Sequence, residues 1–458
     1  MNTYWFFDSA LKRDTCGAKN IPGKLIKDSC NPLFVEGINE PLEKPWEQQI
    51  GNGYPNVFYD PLVHKFRCYY TAFLAKDTNQ SASIQTYNAK ERRTTAILYA
   101  ESENGLQWVK PSLGIVEYQS SKENNILALS THGASVLLDL VENDPKKRYK
   151  IISRDDRGPL NIHVAFSDDG IHFDNWTTVI DDPHFPGDIH NFALRDPVSG
   201  RYLLFTRSFS REMRVEVRLE SDDFLHWTNA KQVLSGLDMD DQVYGMPVFC
   251  QDGLYWGLAE IFYAGDSSND HYDHVEVELC YSGDGVRWNR IAPGRPFIAN
   301  GAIDSYDFGC CYAASPVRDG MDYRFYYMGG NGTHYDLKHN GLCLGTIKRN
   351  RLAGVAARNE NMFTYQTRLL SFDNKRTGLC VDVTNGCIRY EALDKEGKVI
   401  LGLSKDDCYP IVTSSNHAAL RWQNEKAPEG ACMLKFYCNN AVLYSIAGDI
   451  TIHPVHPL

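Results

Sequence analysis

The sequence predicts an all-β protein: a five-bladed β-propeller followed by a C-terminal β-sandwich. Three observations lead to this fold class. One hairpin phrase occurs five times, a second turn motif occurs four times between the hairpins, and the last hundred or so residues alternate apolar and polar side chains at period two. Recurrence of one small β unit along a chain is typical of propellers, in which each blade packs against its neighbours.

The hairpin phrase is an apolar strand, a tight turn beginning with Asp-Pro or Asp-Gly, and a second strand that opens with an aromatic residue. Such turns reverse the chain within a few residues, so each copy predicts a β-hairpin. The five copies are Asp60-Pro61 with Phe66, Asp144-Pro145 with Tyr149, Asp196-Pro197 with Tyr202, Asp252-Gly253 with Tyr255, and Asp319-Gly320 with Tyr323.

The second motif begins with serine, continues with a carboxylate or amide, usually followed by glycine, and ends with an aromatic residue. The carboxylate or amide and the glycine suit a turn with positive φ, and the aromatic ring can fill the space between sheets. One hairpin and one such turn supply the four strands of a blade. The four copies run from Ser102 to Trp108, Ser167 to Phe173, Ser221 to Trp227 and Ser282 to Trp288.

Three segments are predicted from these patterns. Residues 1–346 form the propeller, residues 347–361 a linker, and residues 362–458 the β-sandwich. The basic run Lys348-Arg349-Asn350-Arg351 breaks the blade pattern and indicates the linker. Beyond it, residues 378–383 and 432–437 alternate at period two, as strands of a sandwich do.

Composition excludes several classes of function. The net charge of -11 argues against nucleic-acid binding, and no apolar run is long enough to span a bilayer. The segment from Met1 to Asp8 has no basic region of the kind that begins a signal peptide. Thirteen scattered cysteines, an odd number, indicate reduced thiols. We therefore expect a cytoplasmic protein without membrane or nucleic-acid partners, and a homo-oligomer stays possible.

The repeats also predict which residues share one end of the propeller. If the first strand of each blade runs beside the axis to its turn, residues before that strand and at the end of the second strand lie at the same mouth. We expect these inner strands to begin near Asn52, His132, Asp188, Asp241 and Asp307. The other candidates at this mouth are Glu47, Arg154, His190, Arg207, Tyr244, Glu260 and His334.

Carboxylates gathered at one mouth suit the cleavage of glycosidic bonds. This reaction uses one protonated carboxylic acid and one ionised carboxylate. Glu260 lies in the apolar segment 256–263, where burial should raise its pKa, so it is the predicted proton donor. A structural ion pair with Arg207 is the alternative for Glu260. The predicted nucleophile or base is Asp188 or Asp241, and either could instead cap a turn or orient an arginine.

The remaining candidates are assigned to substrate binding. Asp307 is expected to orient the sugar. For Glu47, which follows Trp46, the alternative is a solvated charge beside a packed tryptophan. Arg154 and Arg207 could hydrogen-bond a substrate hydroxyl or carboxylate, or form salt bridges within the protein. Histidines could donate to sugar hydroxyls; they are His132, His190 and His334. No spacing resembles a zinc site, and neither a metal nor another cofactor is predicted.

The repeats, their turns and the trailing sandwich resemble the propeller glycosidases of glycoside hydrolase families 32, 43, 68 and 130. Domain order is most similar to family 32, whose motifs include Asn-Asp-Pro-Asn, Arg-Asp-Pro and Glu-Cys. Here residues 52–56 lack the aspartate and Glu260 precedes Ile261, so the fructosidase mechanism is not carried over. Arg195-Asp196-Pro197 matches one motif, but the repeats align it with turns at the opposite mouth, which favours a structural role.

The predicted function is hydrolysis of a short oligosaccharide or glycoside, with a small carbohydrate as the partner. Two alternatives stay open. One is a glycoside phosphorylase, in which Arg154, Arg207 and a histidine would hold phosphate. The other is a carbohydrate-binding propeller without catalysis, because a fold alone does not fix a function.

Overall fold

The computed structural model describes residues 2–37, 44–76, 93–158, 161–182, 187–336, 338–359, 361–372 and 377–453. Strands make up 54% and helices 2% of the structure, which confirms the all-β class. Within these ranges, no helix has the length and apolar character needed to cross a membrane.

The chain divides into two compact units. The repeat unit comprises Leu25–Arg290 and Pro296–Thr346, and the terminal unit comprises Met1–Lys24, Ile291–Arg295 and Ile347–Leu458. The repeat unit ends at Thr346. The first 24 residues differ from the prediction, because they group with the C-terminal part of the chain. The predicted linker also differs, since it contains the end of one strand, a 3-10 turn and a further strand.

The described residues form thirty-three strands, numbered in chain order. The first part contains β1 (Asn2–Trp5), β2 (Lys12–Cys16), β3 (Ala18–Pro22), β4 (Ile26–Lys27), β5 (Phe34–Val35), β6 (Asn56–Asp60), β7 (Lys65–Ala75), β8 (Arg93–Ser102), β9 (Ile126–Leu129), β10 (Thr131–Leu138), β11 (Tyr149–Asp155), β12 (Asn161–Ser167), β13 (Asp174–Ile180), β14 (Phe192–Arg195), β15 (Tyr202–Ser210), β16 (Met213–Ser221) and β17 (Lys231–Ser235). The second part contains β18 (Asp241–Gly245), β19 (Val248–Gln251), β20 (Leu254–Tyr263), β21 (Val275–Ser282), β22 (Asn289–Arg290), β23 (Cys310–Ala313), β24 (Val317–Asp319), β25 (Asp322–Gly330), β26 (Asn340–Lys348), β27 (Ala353–Ala357), β28 (Met362–Thr367), β29 (Leu370–Phe372), β30 (Gly378–Leu393), β31 (Ser415–Ala419), β32 (Gly430–Gly448) and β33 (Ile450–Ile452).

The repeat unit contains five successive antiparallel repeats. Repeats 1, 2 and 3 are separate four-stranded sheets made of β6–β9, β10–β13 and β14–β17. Repeat 4 (β18–β22) and repeat 5 (β23–β26) follow the same order, with the first strand interrupted in each. One parallel pair, Val275 with Cys310, joins them into an eleven-stranded sheet that also includes β4 and β5. Strand pairing therefore gives three separate sheets and one composite sheet.

The predicted hairpins are confirmed by the strand register. In each repeat the aromatic residue that opens the second strand lies opposite the end of the first strand. The facing pairs are Tyr59 with Phe66, Leu138 with Tyr149, Arg195 with Tyr202, Cys250 with Tyr255, and Arg318 with Tyr323. In repeat 2 the connection is longer, because a 3-10 turn at Pro145–Lys147 lies between the two strands.

The serine turns are held by the same hydrogen bonds in each copy. In the first, the Gly105 amide donates to Ser102 Oγ (2.9 Å), and Asn104 Oδ1 accepts from the amides of the next two residues after Gly105. The residue after the amide or carboxylate has positive φ, as predicted. In the third copy this residue is Phe224, with φ of 69°, so a residue other than glycine takes this conformation there.

Side chains on the turns link consecutive repeats. A tyrosine that opens the second strand of one repeat donates to an aspartate on the first turn of the preceding repeat. These bonds are Tyr149 to Asp60 (2.6 Å), Tyr202 to Asp139 (2.7 Å) and Tyr255 to Asp196 (2.6 Å). Repeat 5 bonds to repeat 1 through the Tyr326 hydroxyl and the Gly105 carbonyl (2.9 Å). In repeat 2 the acceptor is Asp139. The repeat pattern in the sequence instead matches Asp144 to the turn aspartates of the other repeats.

The terminal unit is built around two long strands. β30 and β32 pair antiparallel along most of their lengths, with two bulges. The other strands of this unit pair with these two or with each other, giving one ten-stranded sheet network in place of two separate sheets. Tyr390 and Trp422 lie in its interior as an edge-to-face pair with ring centroids 4.9 Å apart.

Candidate functional site

A cavity of about 360 Å³ lies where the first strands of the repeats begin. Half of the residues predicted from the sequence line it, and they come from all five repeats. These residues are Asn52, His132, Arg154, Asp188, Tyr244 and His334. The expected gathering of polar side chains at one end of the repeats is therefore observed for this group.

Asp188 presents the most accessible carboxylate among the predicted catalytic residues. Its side chain is 55% exposed, although three cationic side chains surround it. Oδ1 lies 3.0 Å from His132 Nε2 and 3.9 Å from Arg154 Nη1, and Oδ2 lies 3.6 Å from Arg207 Nη2. Desolvation by the cavity walls alone would raise the pKa of Asp188, but the His132 hydrogen bond and the three positive charges lower it well below its usual range. Asp188 is therefore ionised at neutral pH.

Two glycines allow the backbone to bring His132 and Asp188 together. Gly187 has φ of 58° immediately before Asp188, and Gly133 has φ of 61° immediately after His132. A Cβ atom on Gly133 would lie 1.8 Å from the Ile189 carbonyl oxygen, so the two segments can approach only with glycine there. The short distance between His132 and Asp188 follows from this backbone contact.

His132 lies between two carboxylates. Its Nδ1 is 2.5 Å from Asp156 Oδ2, and its Nε2 contacts Asp188. Burial alone would lower the pKa of His132, but the charges and hydrogen bonds of Asp156 and Asp188 raise it to about 9. The imidazole is therefore protonated at neutral pH and donates from both nitrogens. Asp156 also accepts from Thr95 Oγ1 (2.5 Å) and pairs with Arg154 Nε (2.9 Å).

The described lining of the cavity carries a net positive charge. Besides His132 and Arg154, its lining includes three further cationic side chains, and its described carboxylates are Asp156, Asp188 and Asp336. The additional cations are Lys76, Arg93 and Lys338. Among the described lining residues, positively charged groups thus outnumber carboxylates by two, in a chain whose net charge is -11. Such a cavity attracts anions and electron-rich oxygen atoms.

Aromatic and amide groups form another part of the wall. Asn52 Nδ2 donates to the hydroxyls of Tyr54 and Tyr244, each at 2.9 Å. The His334 ring packs edge-on against Tyr244, with centroids 5.1 Å apart. Burial, followed by the nearby positive charges of Lys338, Arg214 and Arg207, keeps the pKa of His334 well below its usual range. This histidine is neutral, in contrast to His132.

Arg207 and Glu260 lie behind the cavity surface. The Arg207 guanidinium stacks on Tyr244 (4.9 Å to the ring centroid) and donates to the Asp188 carbonyl oxygen. Glu260 is fully buried, and its Oε1 accepts from the Ala313 amide (3.0 Å). Burial raises the pKa of Glu260 to about 8, although the Ala313 hydrogen bond and the Arg207 charge act in the opposite direction. The raised pKa agrees with the sequence prediction, but the carboxyl group does not line the cavity.

A second buried glutamate, Glu216, was not predicted. It lies opposite Arg207 in the pairing of β15 and β16 and is almost fully buried. Burial, followed by the charge of Glu260, raises the pKa of Glu216 well above its usual range. No sequence pattern indicates Glu216 as a buried residue, because alternation with Val215 and Val217 places it on the same face as the two flanking arginines, as in a strand with one face toward solvent.

Other predicted residues lie outside the cavity in pairs of their own. Asp241 forms two bonds to Arg290, at 2.6 and 2.9 Å, and does not line the cavity. Asp307 pairs with Lys27 (2.6 Å), accepts from Tyr327 (2.8 Å) and does not line the cavity. The two remaining residues are also buried, Glu47 beside Lys110 (2.8 Å) and His190 beside Asn56 (3.0 Å).

Asp196, from the Arg-Asp-Pro sequence, stabilises the turn in which it lies. It accepts from the Tyr255 hydroxyl and from the amides of Val198 and Ser199. A second cavity, of about 430 Å³, runs along the first strands toward these turns and is lined by Pro197 among others. These contacts agree with the structural role favoured from the repeat alignment.

The described residues do not form a metal-binding site. Among the residues that the structure describes, no group of three or more His, Cys, Asp or Glu side chains is arranged to hold an ion. The cavity pair of Asp156 and Asp188 is occupied by the His132 imidazolium instead.

No protein-family model matches the sequence, and no curated protein does either. Solved structures of similar fold include an N-acetylgalactosamine deacetylase from F. plautii in complex with blood group B trisaccharide, at 14% identity over 75% of this chain and 97% of that chain, with a TM-score of 0.50. A glycosyl hydrolase from Bacteroides ovatus is 16% identical over 70% of this chain and 94% of that chain (TM-score 0.46). A beta-1,2-mannobiose phosphorylase from Listeria innocua is 11% identical over 71% of this chain and 96% of that chain (TM-score 0.48). At these identities, the likeness to the deacetylase shows the fold alone, and the chain shares that fold with a protein solved in complex with a trisaccharide.

Proposed function

We propose that this protein is a carbohydrate-active enzyme that cleaves a glycosidic bond of a short saccharide in the cavity around Asp188. The observation that carries the proposal is the Asp188 carboxylate, ionised, accessible and held by His132, Arg154 and Arg207. A carboxylate fixed in this way can act as a nucleophile, or it can remove a proton from an attacking water.

We also propose that the five repeats are the blades of a five-bladed propeller. The support comes from the turn contacts, which connect repeats 1 to 2, 2 to 3 and 3 to 4. Repeats 4 and 5 are connected by Ser315 Oγ and the Val248 carbonyl (2.9 Å), and repeat 5 returns to repeat 1 through Tyr326. A closed cycle of neighbours is what a propeller requires.

The size and chemistry of the cavity support a short substrate. Its volume of about 360 Å³ lies near the lower end of the usual range for small-molecule sites. Tyr54 and Tyr244 offer ring surface and hydroxyl groups, and Asn52 offers an amide. These are groups that hydrogen-bond sugar hydroxyls and pack against the apolar face of a sugar ring.

Glu260 remains the proposed proton donor. Its raised pKa supports a protonated state at neutral pH, which a general acid needs. The carboxyl group is buried and does not line the cavity, so donation to a leaving oxygen requires that the substrate open a path to it. His132, the protonated group beside Asp188, is the nearest alternative acid in the cavity itself.

The proposal is tested by screening aryl-glycosides and short oligosaccharides with wild type and Asp188→Asn. We expect turnover of at least one substrate by wild type and its loss in the variant. Asp168→Asn is the matched control, because Asp168 is exposed on the serine turn of repeat 2. Saccharide binding without turnover would replace the proposal with a carbohydrate-binding function. Turnover that persists in Asp188→Asn would remove Asp188 from the reaction.

Phosphorolysis is the second candidate, and the positive charge of the cavity favours it. Arg93, Arg154 and Lys338 are lining cations that could hold a phosphate oxygen. Running each screen with and without inorganic phosphate separates the two reactions. A sugar phosphate product that forms only when phosphate is present would establish phosphorolysis, whereas equal rates in both conditions would establish hydrolysis.

A further inference from the structure

Two buried carboxyl groups lie behind the cavity, and the proposed reaction uses only one of them. Glu216 on β16 and Glu260 on β20 come from neighbouring repeats, and both are at most 1% exposed. Both oxygens of Glu216 and Oε2 of Glu260 have no hydrogen-bond partner among the described residues. Neither group has a cationic side chain within 4 Å in the described part of the chain.

Arg207 is the charged group shared by this pair and the cavity. It faces Glu216 across β15 and β16, and its charge acts on both glutamates. On the other side it donates to the Asp188 carbonyl oxygen and lies 3.6 Å from the Asp188 carboxylate. Its Nε atom is buried and has no hydrogen-bond partner among the described residues.

An ionised carboxylate in such a place would be unstable. Burying a charge without a hydrogen-bonded partner costs far more than burying a neutral acid, and two neighbouring carboxylates also repel each other. Both glutamates are therefore protonated while Arg207 remains with Asp188. The other groups beside the pair are the Ala313 amide from β23 and Ile189 beside Gly245. Arg214 and Arg218 flank Glu216 on the same face of β16, but Arg214 stacks on Phe262 (4.8 Å to the ring centroid) and Arg218 pairs with Glu220 (2.8 Å). Among the described residues, neither arginine lies within 4 Å of a Glu216 or Glu260 carboxylate oxygen, so neither takes the place of Arg207.

We propose that Glu216 and Glu260 act as one proton-holding pair, and that Glu216 is a positioning residue for Asp188. While the pair is fully protonated, Arg207 has one carboxylate to bind, that of Asp188. When the pair loses its first proton, a buried carboxylate appears on the opposite side of Arg207 and competes for the guanidinium. The proton belongs to the pair, since two interacting acids titrate as a unit.

This competition makes the cavity sensitive to alkaline pH. Loss of the Arg207 contact removes one of the three groups that fix the Asp188 carboxylate, while Arg154 remains. The charge of His132, whose pKa is about 9, is lost over a neighbouring pH range, and the double variant Glu216→Gln/Glu260→Gln separates the two effects. The inference rests on the proposed function only in giving Asp188 a role in catalysis. The arrangement of Arg207 and the two glutamates can be measured without a substrate, so a failure of the proposed reaction would not by itself overturn it.

Infrared spectroscopy tests the protonation of the pair, since a protonated carboxylic acid and a carboxylate absorb differently. We expect a signal from buried carboxylic acids in the intact protein at pH 6, with partial loss at pH 9. Glu216→Gln should remove part of the signal at pH 6. The matched control is Glu212→Gln, which changes an exposed glutamate just before β16 and should leave the signal intact. An unchanged signal at pH 6 in Glu216→Gln would overturn the proposal.

Crystal structures at pH 6 and pH 9 test the competition. We expect Arg207 to contact Asp188 at pH 6 in wild type and to turn toward the glutamates at pH 9. The double variant Glu216→Gln/Glu260→Gln cannot ionise, so it should keep the contact with Asp188 at both pH values. If this variant does not fold, Glu216→Gln alone should still replace the two-step titration of the pair with one step. A wild-type contact that persists unchanged at pH 9 would overturn the inference.

Discussion

The Nε2 atom of His132 lies 3.0 Å from Oδ1 of Asp188, while the other ring nitrogen of the same histidine lies 2.5 Å from Asp156. One imidazolium thus holds two carboxylates from different elements in a fixed position. The cavity carboxylate that we assign to catalysis is therefore oriented by a side chain that is itself anchored. Changes to these side chains, and to the contacts around them, should have measurable effects on turnover and stability.

Asp188→Asn should lower turnover by at least about a hundredfold, because the amide can neither attack nor accept a proton. The substitution keeps the shape of the side chain, so the fold should persist. Turnover and the melting temperature of the variant would be measured together. A large fall in turnover with a small change in melting temperature is the expected result, and Asp168→Asn should change neither.

Glu260→Gln should lower turnover by about two to four orders of magnitude on substrates with poor leaving groups, the usual contribution of a general acid. On activated aryl leaving groups the loss should be much smaller, since these depart without a proton. Rates on both substrate classes would be compared for wild type and variant. Equal rates for the two enzymes on an unactivated substrate would exclude Glu260 as the donor.

The free energy of unfolding should fall as the pH rises from about 6.5 to about 9. The folded-state pKa of Glu260 is raised from its ordinary 4.5 to about 8, and that of His132 from 6.5 to about 9. A raised pKa stabilises the folded state at low pH, and this contribution is lost as the pH passes through the folded value. Thermal unfolding at pH 6 and pH 9 measures the change. Glu260→Gln should show a smaller fall, and a wild-type protein that gains stability toward pH 9 would contradict the prediction.

Asp196→Asn should reduce stability without reducing turnover. Asp196 accepts from Tyr255 at 2.6 Å and from two turn amides, so its carboxylate holds repeats 3 and 4 together. Hydrogen bonds to a charged group contribute about 1.5–3 kcal/mol. Denaturant unfolding would measure this loss, and Tyr255→Phe should give a part of it. Loss of turnover at unchanged stability would instead give the Arg-Asp-Pro sequence a catalytic role.

A reductant should leave the melting temperature unchanged. All thirteen cysteines are free thiols in the structure, and most are buried. Disulfides stabilise a protein mainly by restricting the unfolded chain, and here no such restriction exists. Melting curves with and without dithiothreitol provide the test. A melting temperature that drops in reductant would mean that a disulfide forms in the purified protein.

The hairpins and serine turns could be predicted because each is encoded within a few consecutive residues. The Ser102 and Asn104 side chains bond to amides within three residues, so the motif carries its own structure. The membership of the N-terminal strands in the terminal unit could not be predicted from such local motifs. The strand that begins the chain, β1, pairs with β32 more than four hundred residues later, and no local pattern indicates this partner.

The site was predicted in part for a similar reason. The position of Asp188 followed from the repeats, because the start of each first strand lies at the same end. The ion pair of Asp241 with Arg290 could not be predicted from the repeats, because Arg290 comes from β22 at the far edge of the same repeat. Pairing of long charged side chains depends on tertiary packing, and the sequence of one strand does not contain it.

The short strands β4 and β5 complete repeat 5 by pairing with β26, although they lie at the opposite end of the repeat unit in sequence. The first and last parts of this unit must therefore meet before its outermost strands are paired. During synthesis from the N-terminus, β4 and β5 cannot pair until β26, about three hundred residues later in the chain, has been made. We expect repeats 1 to 3 to acquire protection from hydrogen exchange early in folding, and β26 to acquire it last, because closing so long a loop carries the largest entropic cost.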